Sequence, residues 1–531
     1  MDQTEPKQPV KRVAAVDIGT NSFHVVIVDI YTDGSFYVID KLKEMVLLAE
    51  KGADKNLSEA AMQRAVDALY KIKTLCDHQD VEIILAYATS AIREAENGGE
   101  LIQRVIDEVG IKIKAIPGRV EAELIGLAVQ HGVQMPERPS LIMDIGGGSV
   151  EYLIADNEKF YFLSSKKMGV GRTTARFVDS DPIREDDIRA LTDFYRHHLT
   201  DVAQAFAQNR ASLLIGSSGT MENIGLMIAY RKGESPHLSV NELEFTAEEF
   251  FHFYDEVIKM DYDQRAKLEG LDEKRNRLLP AGLVLVKYVL QTFGIRRVKI
   301  SSQALREGII LRYLMKEMTD LKEVGFVENP RRRSVLELVT KCHWHEEHSR
   351  HVANLAMHIF DSLAEDLDLT DTDRELLEYA AYMHDIGYHI SHRKHHKHAL
   401  YIIRNADLKG FKENEIEIMA NVSRYHRRST PKKRHKHYNK LEPAVKDRVK
   451  KLSAIMRIAD GLDRSHYQNV RSLDVQKGED TIEIRIKTES DPQLEIWGAM
   501  RKSALFEEVT GKKLRVKEVE RAPVEMLSTG T

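Results

Sequence analysis

Two copies of one pattern constrain this chain more than any other feature. Ala15-Val16-Asp17-Ile18-Gly19-Thr20-Asn21-Ser22 and Ile142-Met143-Asp144-Ile145-Gly146-Gly147-Gly148-Ser149 lie 127 residues apart, each an apolar run that ends in an aspartate and a small-residue turn. Each reads as strand, tight turn and second strand. The amides freed by such a turn form a nest for an anion, and the preceding carboxylate can hold a cation that neutralises it. A third turn, Gly216-Ser217-Ser218-Gly219-Thr220, follows the apolar Leu213–Ile215 and opens a helix whose N-terminus also suits an anion. Two lobes facing each other across these turns would clamp a phosphoryl group. Ser149 and Glu151 alternate along the second copy's next strand, which brings Glu151 toward Asp144 and Asp17. Three carboxylates around one point imply a divalent cation.

The rest of the chain divides by periodicity. Strand-like runs at Val13–Val16, Val25–Asp29, Ile83–Tyr87 and Ile111–Ile116 alternate with helical runs at Glu59–Cys76 and Leu101–Glu108, which makes an α/β unit. A second such unit starts at Leu141, passes through helices near Asp186–Gln208 and Phe245–Tyr262, and ends on a strand at Arg297–Ser301 and a helix from Arg306. From Arg331 to Leu473 only helical periodicity remains, followed by a β-α-β tail near Thr481–Val516. The expected domains are 1–135, 136–325, 326–474 and 475–531. Cys76 and Cys342 are the only cysteines and suggest neither a disulfide framework nor a zinc site. The formal charge of -5 argues against a polyanion-binding role for the whole surface. No signal-peptide pattern or membrane-length apolar run is present, and the expectation is a cytoplasmic protein without a membrane partner.

The chain resembles the exopolyphosphatase and guanosine pentaphosphate phosphatase (Ppx/GppA) family, over roughly Val13 to Met315. The resemblance rests on Asp17 to His24, Ala88-Thr89-Ser90-Ala91-Ile92-Arg93, Gly118-Arg119-Val120-Glu121-Ala122-Glu123-Leu124-Ile125, Asp144 to Glu151, Gly216 to Thr220, Pro280-Ala281-Gly282 and Leu305-Arg306-Glu307-Gly308. It implies an α/β fold of two ribonuclease H-like lobes, in the superfamily of actin, hexokinase and the heat-shock chaperone ATPases. Their cleft would hydrolyse terminal phosphoanhydrides with Mg²⁺. Inorganic polyphosphate is the expected substrate, with guanosine pentaphosphate (pppGpp) as the alternative, and a homodimer is the expected assembly.

By the same resemblance, Glu121 is the general base that orients the attacking water. The family often has Gly-Arg-Glu-Glu-Ala at this place, whereas Val120 here replaces the first glutamate and Glu123 follows. On a helix Glu121 and Glu123 point about 200° apart and cannot share a role. Arg93 is expected to grip a phosphate, since a guanidinium binds two oxygens at once. Asp17, Asp144 and Glu151 are the expected Mg²⁺ ligands. Asn21, Ser22, Gly146, Gly147, Ser149, Gly219 and Thr220 are assigned to phosphate contacts. Arg275 and Arg306 are left outside the catalytic core, as further phosphate contacts or interlobe ion pairs.

A second resemblance, over roughly Val335 to Arg464, is to the HD superfamily of helical metal-dependent phosphohydrolases. His348, the adjacent His384-Asp385, and Asp460 carry it, and the implied domain is all-α, followed by a small α+β tail. Imidazole with carboxylate suits Mn, Fe or Zn. His395, His396 and His426 could fill a second metal position, whereas His343, His345 and His398 read as a solvated face. Between His389 and Lys440 there are fourteen Lys and Arg against four Asp and Glu. Arg427, Arg428, Lys432, Lys433 and Arg434 are the candidate polyanion-binding residues, with a salt-sensitive grip. Too few aromatics interleave with them for a nucleic-acid stacking platform. A sugar-kinase-like phosphotransferase and a non-catalytic alarmone (pppGpp/ppGpp) sensor are the rival readings.

Overall fold

Strands β1 (Lys11–Ile18) and β2 (Ser22–Ile30) pair antiparallel around the first small-residue turn, and β3 (Phe36–Met45) extends the meander. The computed structural model describes residues 9–32, 34–48, 56–234, 240–317 and 329–521. From β3 the chain crosses through the helix Glu59–His78 to β4 (Ile83–Ala88), and through Gly98–Val109 to β5 (Ile113–Ala115). Both strands run parallel to β1, giving the order β3-β2-β1-β4-β5. The first of these helices is started by Ser58, whose hydroxyl accepts from the Ala61 amide. Its apolar face, with Ala61, Ala65, Leu69, Ile72 and Cys76, is fully buried against the sheet.

The second lobe repeats this plan. Strands β6 (Ser140–Ile145), β7 (Val150–Ala155), β8 (Phe160–Lys166), β9 (Leu214–Ser217), β10 (Glu244–Thr246) and β11 (Arg297–Ile300) take the order β10-β11-β9-β6-β7-β8. Apart from the edge strand β10, the order and directions match the first lobe, with β6/β7/β8 antiparallel and β6/β9/β11 parallel. The duplicated motif is therefore a duplicated topology, and β1 corresponds to β6. The helical reading of Phe245–Tyr262 begins instead in β10, after which Thr246 caps Ala247–Val257. The reading of Asp186–Gln208 breaks at Leu199 into two helices.

A third apolar cluster joins Val13 and Ala15 of β1 to Ile142, Leu153 and Ile215 of the second lobe. The helix Leu305–Glu317 returns there and packs on the helix Gly118–Gly132 and on β1. A Cβ on Gly308 would meet the Leu124 carbonyl oxygen at 1.9 Å, so only glycine permits this crossing. A helix that sequence order assigns to lobe two thus completes lobe one.

Residues 1–330 form one unit and residues 331–531 a second. The second unit contains the helices Glu346–Leu363, Asp371–Met383, His395–Asn405, Glu413–Tyr425 and Pro443–Gly461. It ends in a three-stranded sheet, β12 (Val470–Lys477), β13 (Thr481–Thr488) and β14 (Lys513–Arg521), with the helices Gln493–Met500 and Ala504–Thr510 between the last two strands. Strand β12 starts before Leu473, where helical periodicity was expected to continue, and it straddles position 474. Its side chains are mostly exposed, so no apolar alternation marks it. Among the described residues no helix is long and apolar enough to cross a membrane.

Candidate active site

The turns after β1 and β6 meet across the first unit. A Cβ on Gly147 would lie 2.8 Å from Asn21 Nδ2, and one on Gly148 would lie 2.4 Å from Ser90 Oγ and 3.0 Å from Thr20 Oγ1. The glycines are required because the two loops touch. The amides of Val170 and Gly171, at the start of the next helix, donate to the carbonyls of Gly146 and Gly147 and hold the second loop. The third turn closes beside them, where Ser218 Oγ donates to the Ile145 carbonyl at 2.8 Å. Ser218 itself has φ +70°, a left-handed conformation that costs a serine about 1–3 kcal/mol and aims the turn. Gly219 lies directly under the Arg275 guanidinium, and Thr220 is buried at the head of the helix Ser218–Arg231.

Buried acids converge on these loops. Asp144 and Glu151 are direct cross-strand partners on β6 and β7, so their carboxylates share a sheet face. Burial raises Asp144 to about 6, with Glu121 adding to the shift and Ser217 opposing it. Burial likewise raises Glu151 well above the carboxylate range, with help from Glu121 and Asp144. Asp17 rises to about 7, chiefly through burial, while Arg306 pulls it down. Among the described residues neither Asp144 nor Glu151 has a Lys or Arg within ion-pair distance. Buried like charges that raise one another's pKa favour a nearby cation, a part that Arg275 and Arg306 take only from a distance. The three carboxylates are not gathered as a coordination group, however: among the described residues, sets of three His, Cys, Asp or Glu with ligand atoms within 4.8 Å occur in the helical unit. Mg²⁺ commonly takes one or two carboxylates and fills its other positions with water and phosphate, and these hard oxygen donors fit that habit.

Glu121 lies in the first turn of the helix Gly118–Gly132 and is 6% exposed. Gly118 presses on Ser165, whose hydroxyl donates to Glu151 Oε1 at 2.7 Å, so this helix start is seated against the acid cluster. Arg93 Nη1 donates to Glu121 Oε2 and to the Ile116 carbonyl, each at 2.8 Å. The arginine assigned to phosphate therefore holds the proposed base in place. Glu123 points away and pairs with Arg312 at 2.8 Å. Ser22 Oγ bonds His24 Nε2 at 2.7 Å, and Arg306 donates to His24 Nδ1 at 2.9 Å. Ser149 bonds the Glu151 carboxylate.

Sequence reasoning left several cations of this site aside. Arg275 and Arg306 both act on the buried acids, and Arg172 bonds the Gly148 carbonyl at 3.1 Å. A cleft of about 1060 Å³ opens from Asn21 and Gly147 past Lys167, Arg172, Lys274 and Arg277. No motif marks Lys167, Arg172, Lys274 or Arg277, since surface cations far apart in the chain carry no local pattern.

The helical unit builds a second site. His348 Nε2 and His384 Nε2 lie 3.3 Å apart, and each is 3.9 Å from Asp460 Oδ1. Asp385 Oδ2 lies 3.9 and 3.5 Å from those two nitrogens, while its Oδ1 lies 3.2 Å from His395 Nε2 and 3.6 Å from His426 Nε2. One carboxylate thus faces two ligand sets. The outer nitrogens are all engaged: Nδ1 of His348 with Asp463 at 2.7 Å, and Nδ1 of His384, His395 and His426 with the carbonyls of Ala381, His392 and Ser423. This fixes the tautomer and turns four Nε2 lone pairs inward, as metal-ligating histidines require. Asp385 Oδ1 is buried without a hydrogen-bond partner. His384 and Asp385 do not share a helix, since the helix ends at Met383 and a 3₁₀ turn starts at Ile386. Asp463 and His466, whose ring stacks 3.7 Å from His348, were not anticipated. His396 is buried but stays outside both sets.

The basic run splits. Arg427 turns inward to His395 Nε2 at 3.1 Å. Arg428 and Arg434 line a separate concavity of about 390 Å³, and Lys432 and Lys433 are exposed outside it.

A family model described as "Ppx/GppA phosphatase family" matches residues 26–317, and one described as "Ppx/GppA phosphatase, domain III" matches residues 331–496. The chain is similar to guanosine-5'-triphosphate,3'-diphosphate pyrophosphatases. It is 29% identical to that of Pseudoalteromonas atlantica, over 76% of this chain and 77% of the relative. It is 27% identical to that of Photobacterium profundum, over 77% and 79%. Among solved structures it is similar to an exopolyphosphatase from Cytophaga hutchinsonii, 30% identical over 59% of this chain and 99% of that one, with a TM-score of 0.54. An Aquifex aeolicus Ppx/GppA protein gives 26% identity over 58% and 99%, with a TM-score of 0.51.

Proposed function

The chain belongs to the Ppx/GppA phosphatase family and is a phosphoanhydride hydrolase, and we propose that it is an exopolyphosphatase releasing orthophosphate from the ends of inorganic polyphosphate. The cleft lining carries this choice. Lys167, Arg172, Lys274 and Arg277 line it, the first two paired with Glu94 and alongside Glu273, and its single aromatic, Tyr262, has its ring covered by Arg277 at 5.7 Å. A repeating polyanion needs cations along its length, whereas a nucleotide needs an open stacking face. The pppGpp named for the curated relatives is the alternative substrate.

Hydrolysis requires a water in line with the terminal phosphorus, a base, and positive charge on the phosphoryl oxygens. Glu121 takes the proton of the attacking water as the new P–O bond forms. The bridging P–O bond breaks, and the electron pair leaves on the shortened chain. The loop amides at Gly147 and Gly219 and the hydroxyl of Thr220 hold the transferring group, with Arg275 and Arg306 supplying charge. Asp144 and Glu151, with Asp17 from the other loop, would hold a Mg²⁺ ion directly or through water, and that ion would neutralise the phosphate oxygens further. Phosphate release from long polyphosphate and from pppGpp, measured in the parent and in Glu121→Gln, tests the proposal. Release from pppGpp with inert polyphosphate reverses the substrate choice, and full activity in Glu121→Gln removes the site.

A second reading concerns the helical unit, which we propose is HD-like and holds two transition-metal ions. His348, His384 and Asp460 would take one, His395 and His426 the other, with Asp385 between them. The four inward Nε2 atoms and the unpartnered Asp385 Oδ1 support it, and the nitrogen-oxygen donor set suits Mn, Fe or Zn. A homodimer remains part of the proposal on the strength of the family resemblance, and a cytoplasmic location on that of the sparse cysteines.

A further inference from the structure

Each ligand set of the helical unit has a cation of its own. Lys502 Nζ is ion-paired with Asp460 Oδ2, while the other oxygen of that carboxylate, Oδ1, faces His348 and His384. Lys502 comes from the C-terminal module, just after the helix Gln493–Met500. Its position is fixed by a helix crossing that only glycines allow: a Cβ on Gly498 would lie 2.4 Å from the Gly461 carbonyl oxygen, and one on Gly461 would lie 2.6 Å from Ala499 Cα. Gly461 follows Asp460 directly, so the crossing delivers the ammonium to this carboxylate. On the other set, Arg427 Nη1 donates to His395 Nε2 at 3.1 Å. That is the lone pair a metal would take.

The carboxylates of Asp385, Asp460 and Asp463 offset only part of the charge of two divalent ions and these two cations, and the positive excess favours an added anion. Both have donors to spare. An ammonium has three N–H groups and a guanidinium five, and only one contact of each goes to these ligand sets. When a metal takes the His395 lone pair, Arg427 loses that acceptor and keeps its bond to Tyr388, so the remaining donors of its planar fork are available to an oxyanion. Next to it in the chain, His396 and Tyr425, neighbours of His395 and His426, line the 390 Å³ concavity with Lys394, Lys397, Arg424 and Arg428. None of these four cations is ion-paired among the described residues. The surroundings select negative charge on that side as well.

Resting on the two-metal reading above, we propose that Lys502 and Arg427 are the anion-positioning residues of this centre, and that its ligand is the terminal phosphate of a phosphomonoester or phosphoanhydride. The C-terminal module is then a working part of the site.

The test uses the full chain loaded with Co²⁺ in the Glu121→Gln background, with inorganic phosphate as the probe and the visible absorption of histidine-bound Co²⁺ as the readout. Phosphate is expected to shift the bands in this parent. Lys502→Met and Arg427→Met are each expected to weaken phosphate binding at least about ten-fold with Co²⁺ uptake intact, and Lys502→Arg to recover most of it. Uptake of Co²⁺ with no response to phosphate, or unchanged phosphate affinity in both Met variants, overturns the proposal alone. No histidine-bound Co²⁺ in the parent overturns the metal reading, and this proposal with it. Loss of Co²⁺ uptake in Lys502→Met that Lys502→Arg does not restore assigns the lysine to support of Asp460 and overturns its anion role.

Discussion

Arg93 and Glu121, 28 positions apart in sequence, share a 2.8 Å ion pair at the edge of the buried acid cluster. Burial raises the Glu121 pKa, and Arg93 is the main force bringing it down. A general base works only when deprotonated, so the rate falls as the pH drops through its pKa. Arg93→Met removes the lowering partner, raises that pKa further and moves the acid limb of the kcat profile to higher pH. Breaking a buried pair from one side also costs about 3–5 kcal/mol, less the share that solvent restores at the partly exposed arginine. A pH–rate profile of the variant checks the direction. An acid limb at unchanged or lower pH assigns the limb to another group.

Glu121→Gln keeps the shape of the side chain and its bond to Arg93 while removing the base. Its kcat on every substrate of the cleft should drop about 10²- to 10⁴-fold with KM little changed. Glu123→Gln is the control. Its partner Arg312 holds it in a half-exposed ion pair outside the site, worth about 0–1 kcal/mol, and activity should be retained. Phosphate release by the two variants side by side settles which glutamate acts.

The twin lobes were legible in the sequence because the fold writes its two central hairpins as apolar strand, acid and glycine turn, and β1 and β6 occupy the same place in matching sheets. Helix geometry put Glu121 and Glu123 on different faces before any contact was known, and the family resemblance chose Glu121. Arg172 and Lys502 could not be found this way, since each reaches its site through tertiary packing. The same holds for the double role of Asp385, because only the folded chain puts His395 and His426 on its second oxygen. Strand β12 escaped because an exposed edge strand carries no apolar alternation.

Gly308 links the two scales. Its Cβ position coincides with the Leu124 carbonyl, on the helix that carries Glu121. Gly308→Ala must push that helix away, and overpacking of this kind costs about 1–3 kcal/mol. The variant should melt several degrees lower and lose kcat, because the displaced helix moves Glu121 relative to the loops. Calorimetry with kinetics on the same sample reads both. A lower melting temperature with unchanged kcat means that the base is held by Arg93 alone.

The proposed metal centre makes a prediction that separates the two halves of the protein. Asp385 gives one oxygen to each histidine set, so Asp385→Ala should abolish uptake of both ions, whereas His426→Ala should remove one and leave the other with His348, His384 and Asp460. Metal content by elemental analysis after Mn²⁺ or Zn²⁺ loading gives the stoichiometry. Polyphosphate hydrolysis in the cleft should continue in both variants with Mg²⁺ supplied, since none of the cleft acids belongs to this centre. Equal metal content in parent and Asp385→Ala rejects the bridging role.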